Sequence, residues 1–324
     1  MKSNERIKPL FTADSKFTDR PAGTTYRSVG KLTRNSGYER GCTPVTDKIK
    51  DFFSGAYYES VSVSDLIKSD LIKDDAKMVS FFHNEAQNRK GNTSDPLVLD
   101  LGLIDYKKAF DFQKKIVSVK IKQRTLSDII LILEHPAVFT LGKRGGRENL
   151  VVTEKFLKSK NIPVVQTERG GNITFHGPGQ LVLYPIVDLE RAKKGVADFV
   201  DDLEEIMIRT SAELGVKAER NKKNHGVWVK NAKIGSIGLS IKRGISFHGL
   251  AFNVNIDLEP FSWINPCGMS DISMTSIKNE LLNKEKSIIK DFSSDPVFRS
   301  DLKQVKETLL NNFFQLWTNP GLNF

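Results

Sequence analysis

The chain is poor in cysteine: Cys42 and Cys267 are the only two among 324 residues. Two thiols cannot build a disulfide framework, which excludes the small cross-linked secreted folds and makes a reducing compartment the default. Long apolar runs are also missing. Ile129–Leu133 and Leu181–Val187 are among the longest, far short of the roughly 20 residues that cross a bilayer, so no membrane span is expected. No secretory signal stands at the N-terminus. Blocks of Lys and Arg and ladders of aromatics are absent, so nucleic acid is the weaker candidate partner although the net charge is +10. Residues 1–95 hold 16 Lys and Arg against 13 Asp and Glu, and the remainder 33 against 26, so the excess lies mainly in the later part and suits an acidic partner. With 39% hydrophobic and 27% charged residues, the composition is that of a globular protein with a sizeable core.

Two regions separate. Residues 1–95 are rich in Ser, Thr, Lys, Asp and Asn and weakly periodic; Val61–Ile72 and Ala76–Phe82 could form short helices, and Asn84–Pro96 reads as a polar linker. The first thirty or so residues carry scattered basic and hydroxyl side chains, as an organelle transit peptide does, although Glu5, Asp14 and Asp19 argue against one. Residues 96–324 read as a folded domain. Leu97–Leu101 and Ile129–Leu133 are expected strands, with a helix between them behind Asp105 as N-cap. Glu154–Lys160 reads as a short helix and Val164-Val165 as a strand. Asp198–Leu214 carries one apolar stripe with early acidic residues and Gly215 as a stop. Short strands follow at Gly226–Val229, Ala232–Leu239 and Ser246–Asn255, and helices are expected over Ile272–Leu282 and Asp301–Trp317. Hairpins with few crossover helices predict an α+β fold: a mixed, largely antiparallel sheet flanked by helices.

Four places invite chemistry. Four glycines, an arginine and a histidine crowd Arg169–Gln180, directly before an apolar strand. Such a run lets backbone approach either a ligand or another backbone. Lys143–Arg147 is a basic, glycine-rich loop, either a solvated turn or a rim for an anionic group. Cys267 sits on a Pro-Cys-Gly turn, and Lys233 lies among small and apolar residues. A lone cysteine is commonly a small buried hydrophobe, and a lone strand lysine is commonly exposed. If the two meet in space, the cation favours the thiolate, or a desolvated amine accepts the thiol's proton; either arrangement suits acyl transfer through a thioester.

The pattern Arg169-Gly170-Gly171, Thr174, His176-Gly177-Pro178-Gly179-Gln180 resembles the signature of the lipoyl(octanoyl) transferases. Glu134-His135, Val138–Gly142, Gly226–Val229, Lys233-Ile234, His248-Gly249, Asn253–Asn255 and Pro266-Cys267-Gly268 agree with that family in order and spacing, from about Leu97 to Ile277. Ser236 and Ser240 depart from its commoner residues. The resemblance implies the fold of biotin and lipoate protein ligase catalytic domains. It implies transfer of an octanoyl group from the phosphopantetheine of acyl carrier protein to a lysine of lipoyl domains, in 2-oxoacid dehydrogenase complexes and the glycine cleavage H protein, as the first step of endogenous protein lipoylation. By that resemblance Cys267 carries the acyl group and Lys233 assists it. The acyl pocket maps onto Arg169, Gly170, Gly171, Asn172, Ile173, Thr174, Phe175 and His176, together with Ser236, Ile237, Gly238, Gly249, Leu250 and Ala251. No cofactor or metal of its own, a monomeric state and a mitochondrial location, otherwise cytoplasmic, are the accompanying expectations. The competing readings are an ATP-dependent lipoate or biotin ligase on the same fold and a catalytically inactive basic binding protein.

Overall fold

A computed structural model describes residues 74–87, 95–221, 224–265, 272–288 and 302–318, all within the compact unit Thr46–Phe324. In chain order the elements are α1 (Asp75–Gln87), β1 (Leu97–Leu103), α2 (Tyr106–Lys122), β2 (Ile129–Glu134), β3 (Val138–Leu141), α3 (Glu154–Ser159), β4 (Val164–Gln166), β5 (Ile173–His176), β6 (Gln180–Ile186), α4 (Val196–Glu213), β7 (Glu219–Arg220), β8 (Val227–Val229), β9 (Ala232–Lys242), β10 (Ile245–Asn253), β11 (Ser273–Met274), α5 (Ile277–Ile288) and α6 (Leu302–Thr318). Cys267, the segment Val61–Ile72 and the first thirty residues lie outside the described residues.

The large sheet runs β1-β2-β6-β10-β9-β8-β7, with β11 paired to β9, and a smaller sheet runs β4-β3-β5. The pairs β1/β2, β3/β4 and β9/β11 are parallel and the others antiparallel, so the expected α+β class with a mixed, largely antiparallel sheet is what forms. Period-two alternation sorts the side chains to opposite faces. On β2, Ile129, Leu131 and Leu133 face α1 and α2, while Ile130 and Ile132 face α4 and α6. A third core holds the small sheet against α3 through Phe139, Phe175, Leu157 and Phe261.

Local chemistry explains the boundaries. Asp105 caps α2 by accepting the Lys108 N–H at 3.1 Å. The far end of α2 is pinned by Lys120, fully buried, which pairs with Asp128 at 2.8 Å and donates to the carbonyls of Leu126 and Ser127. Gly215 (φ +82) ends α4 as a left-handed cap. Helix α1, which the sequence sets among the polar first 95 residues, buries Met78 and Phe82 in the core beside α2. Two expectations fail in part: residues 84–87 of the expected linker Asn84–Pro96 are the last turn of α1, and the helix expected next to β9 starts late. The start of the helix expected over Ile272–Leu282 is strand β11, because Ser273 and Met274 pair with Ala232 and Lys233. Ser276 then caps the delayed helix by accepting the Asn279 N–H.

Candidate active site

Two glycine-bearing loops build the site by lying on each other. Gly142, Lys143 and Arg144 donate their backbone N–H groups to the carbonyls of Asn172, Arg169 and Gly171 at 2.9–3.1 Å. A Cβ on Gly142 would stand 2.4 Å from the Gly171 oxygen, so a side chain is excluded there. Gly170 spends its N–H on the Leu239 carbonyl at 2.8 Å, which joins the double loop to β9. The Arg169–Gln180 stretch is therefore only partly a loop, since Ile173–His176 forms β5. The cations Lys143, Arg144 and Arg147 stay exposed at its edge.

Arg169 is 8% exposed. Its Nε and Nη2 donate to the Thr140 hydroxyl, Nη2 also to the Thr140 carbonyl at 2.6 Å, and Nη1 to the Gly170 carbonyl. With that hydroxyl oxygen accepting twice, its proton is directed to His176 Nε2, 3.3 Å away. His176 Nδ1 then donates to Gln180 Oε1 at 2.7 Å, the Gln180 amide to Asn253 Oδ1, and the Asn253 amide to the Thr275 carbonyl. The tautomer follows from the direction of this chain. The relay ties β3, β5, β6 and β10 to the segment before α5. Beside it, His135 Nδ1 donates to the Ile104 carbonyl and its Nε2 accepts from the Tyr184 hydroxyl at 2.9 Å.

Burial keeps these rings neutral. It lowers His135 to about 4, and lowers His248 to about 3 with the Arg169 charge adding to it. His176 lies well below the ordinary value from burial first, then its His135 and Arg169 neighbours. Burial lifts Tyr106 to about 12 and Tyr184 well above the usual range. Below pH ~6.5 an unfolded chain takes up protons that these folded rings refuse, so their stabilisation is complete above that pH and is lost as pH falls. The slope reaches about 1.4 kcal/mol per pH unit for each ring. The melting temperature is expected to fall by on the order of 10 °C between pH 7 and pH 5; a flat melting profile across that interval would contradict the buried neutral assignments.

These elements enclose one cavity. Its wall includes Arg169, Gly171, Asn172, Ile173, Thr174 and His176, then Ser236, Ile237 and Gly238 of β9, and Gly249, Leu250 and Ala251 of β10. Of the residues anticipated for the pocket, Gly170 and Phe175 are not in the wall. Phe175 faces the small-sheet core, 5.1 Å from Phe139 and 5.5 Å from Phe261 ring to ring. Tyr106, Tyr184, His248, Phe261 and Met274 join the lining without having been singled out for it. In the sequence Tyr106 is one position of a helical stripe that also fits the opening of the resembling family, and Tyr184 is one residue of an apolar run.

Lys233 lines the same cavity and is 6% exposed. Its Nζ donates to the His225 carbonyl at 2.7 Å and to Asn224 Oδ1 at 3.4 Å, and lies 5.5 Å from the centre of the Trp228 ring. The side chain passes over Gly226 (φ +116), where a Cβ would meet Lys233 Cε at 2.6 Å. Glu204, buried on α4, accepts the Gly226 N–H at 2.7 Å and fixes that passage. The amine is thus held at a chosen place, unlike an ordinary exposed strand lysine. The anticipated pairing of Lys233 with Cys267 falls on a residue outside those described. Among the described residues no cluster of three or more His, Cys, Asp or Glu is arranged to hold a metal ion, and no helix is long and apolar enough to cross a membrane.

Residues 105–312 match the family model of the lipoyl protein ligase A/B catalytic domain. An octanoyltransferase of Desulfotalea psychrophila is 50% identical over 185 residues, covering 56% of this chain and 83% of its own. An octanoyltransferase of Syntrophobacter fumaroxidans is 43% identical over 190 residues, covering 59% and 82%. Among solved structures, lipoate-protein ligase A bound with ATP superposes with a TM-score of 0.50 at 13% identity, over 70% of this chain and 85% of that one; this likeness is one of fold.

Proposed function

The chain belongs to the lipoyl protein ligase A/B catalytic-domain family, and we propose that within it this enzyme is an octanoyltransferase acting on lipoyl domains, with acyl carrier protein as donor and Cys267 as the carrier of the acyl group. The observation that carries the reading is the placement of Lys233: a buried, hydrogen-bonded amine in the wall of a cavity whose other side is the Arg169–His176 stretch. Phe261 and Met274, the described lining residues before and after Cys267 in the chain, belong to the same wall, and Met274 pairs directly with Lys233.

The octanoyl chain lies in the cavity against Ile173, Ile237, Leu250 and Ala251, each buried methylene contributing about 0.8 kcal/mol. Cys267 sulfur attacks the thioester carbonyl of the donor. Lys233 either takes the thiol proton as a neutral amine or, as an ammonium, holds the sulfur as thiolate. The tetrahedral oxyanion collapses, the phosphopantetheine sulfur leaves and is protonated, and a Cys267 thioester remains. The lysine amine of a lipoyl domain then attacks that thioester, forms the amide, and returns the cysteine thiol. Backbone donors of the glycine-rich loops serve the oxyanion, with Gly142, Lys143, Arg144, Gly145 and Gly170 excluded because their N–H groups are already engaged. The exposed Lys143, Arg144 and Arg147 suit an acidic carrier protein.

No ATP, metal or bound cofactor enters this scheme, and the enzyme acts as a monomer. A mitochondrial location rests on the long N-terminal extension outside the family match and on the basic, hydroxyl-bearing first thirty residues; the two relatives named above are bacterial. Octanoyl transfer from octanoyl-acyl carrier protein to an apo lipoyl domain is expected to proceed fully in ATP-free, chelator-treated buffer. Transfer that requires ATP and free octanoate would replace the proposal with a ligase mechanism.

A further inference from the structure

His248 has a backbone conformation that its place in the fold does not lead one to expect. Its φ is +56, the left-handed region, in the middle of strand β10; the other described non-glycine residues of this kind lie outside strands. A histidine adopts it at a cost and keeps it only where its surroundings over-determine it. They do so here. The His248 N–H leaves the sheet and donates to Gln113 Oε1 of α2 at 2.7 Å. Across the sheet the β6 register brings Pro185, which has no N–H to offer, and the Ser246 hydroxyl covers the Pro185 carbonyl at 2.6 Å.

The conformation re-aims the ring. Regular alternation would send His248 to the face of Leu250 and Phe252, which pack toward α4. Instead the imidazole lies on the face of Phe247, stacked on Phe110 with centres 5.0 Å apart and edge-on to Tyr184 at 6.0 Å. Neither ring nitrogen has a hydrogen-bond partner among the described residues, so the ring is not held there to tie the fold by a hydrogen bond. Burial leaves it uncharged.

The place it closes is the end of the cavity. Along β9 the lining runs from Lys233 to Gly238, and along β10 from Ala251 back to His248; Leu239 and Phe247, the next residue on each strand, contribute nothing. In the β9/β10 register Gly249 faces Gly238 and His248 faces Leu239. Lys233 and His248 therefore stand at opposite ends, six strand positions apart.

We infer that His248 is the end wall against which the methyl terminus of the acyl chain stops, and that it sets the longest chain the enzyme accepts. This rests on the octanoyltransferase reading above. The imidazole gives a flat, rigid, uncharged stop, backed by Phe110 and placed by a strained backbone rather than by a flexible side chain.

The test is His248→Gly, which suits the positive φ and removes the ring, alongside His248→Asn, which tolerates the left-handed backbone and is shorter. Specificity constants are measured for octanoyl-, decanoyl-, dodecanoyl- and tetradecanoyl-acyl carrier protein with an apo lipoyl domain. In both variants the dodecanoyl-to-octanoyl ratio should rise at least about tenfold, a difference of about 1.4 kcal/mol in transition-state binding, with the dodecanoyl constant rising in absolute terms. An unchanged ratio, or an equal loss at every length, overturns the inference. Thermal melting establishes folding, and the asparagine variant alone decides if the glycine variant does not fold. Wild-type protein that transfers no acyl chain of any length overturns the octanoyltransferase reading instead, which keeps the two failures apart.

Discussion

Lys233→Ala is expected to slow formation of the acyl-enzyme by roughly 10²- to 10⁴-fold, the range in which a positioned proton-transfer group contributes, while the protein stays folded. The amine is clamped by the His225 carbonyl and Asn224 and passes over a glycine that leaves room for it. Little hydrophobic packing depends on its Nζ, so removal acts on chemistry more than on stability. Lys233→Arg separates the two roles: a guanidinium stays protonated, so it cannot replace an amine that accepts the thiol proton, whereas it can in part replace an ammonium that holds the thiolate. A pH–rate profile adds a second reading, because the wild-type dependence on the Cys–Lys pair should become that of an unassisted thiol, with reaction recovering toward the ordinary thiol pKa of about 8.5. Undiminished acylation of the alanine variant at neutral pH would remove Lys233 from the mechanism.

Cys267→Ala is expected to have the larger effect, a loss of at least about 10³-fold in octanoyl transfer, because it removes the atom through which both half-reactions pass. Cys267→Ser should be nearly as inactive, since a hydroxyl is far less ionised than a thiol beside the same amine. Steady-state assay of both variants against apo lipoyl domain checks this. Substantial residual transfer by the alanine variant would mean direct attack of the acceptor lysine on the donor thioester.

Much of this molecule was legible in its residues, and the failures have physical reasons. Asp105 announced α2, and the stripe of α4 with Gly215 behind it announced that helix, because caps and 3.6-residue periodicity are local. The density of glycine at Arg169–Gln180 correctly signalled close approach of backbone, and the structure shows that the neighbour includes a second glycine-bearing loop, Gly142–Gly146. That could not be read, since the pairing joins segments nearly thirty residues apart. Strand β11 was read as the start of a helix because two residues beside Lys233 carry no periodicity of their own. Phe175 was assigned to the pocket along with its neighbours, although its ring packs into the small-sheet core against Phe139 and Phe261, a tertiary contact that local sequence does not announce. His248 was visible as part of a His-Gly pair, but the placement of its ring depends on a left-handed step inside a strand, which breaks regular alternation. The helix at Ala76–Phe82 was legible and forms as α1; what the polar composition around it hid is its packing, which puts Met78 and Phe82 in the core.

The most direct test is the mass of the intact protein after mixing with octanoyl-acyl carrier protein in the absence of any lipoyl domain. The account predicts one added octanoyl group, mapped to Cys267, labile to hydroxylamine, absent from Cys267→Ser, and discharged when apo lipoyl domain is added. A preparation that transfers octanoate yet never carries it on Cys267 would contradict the thioester mechanism.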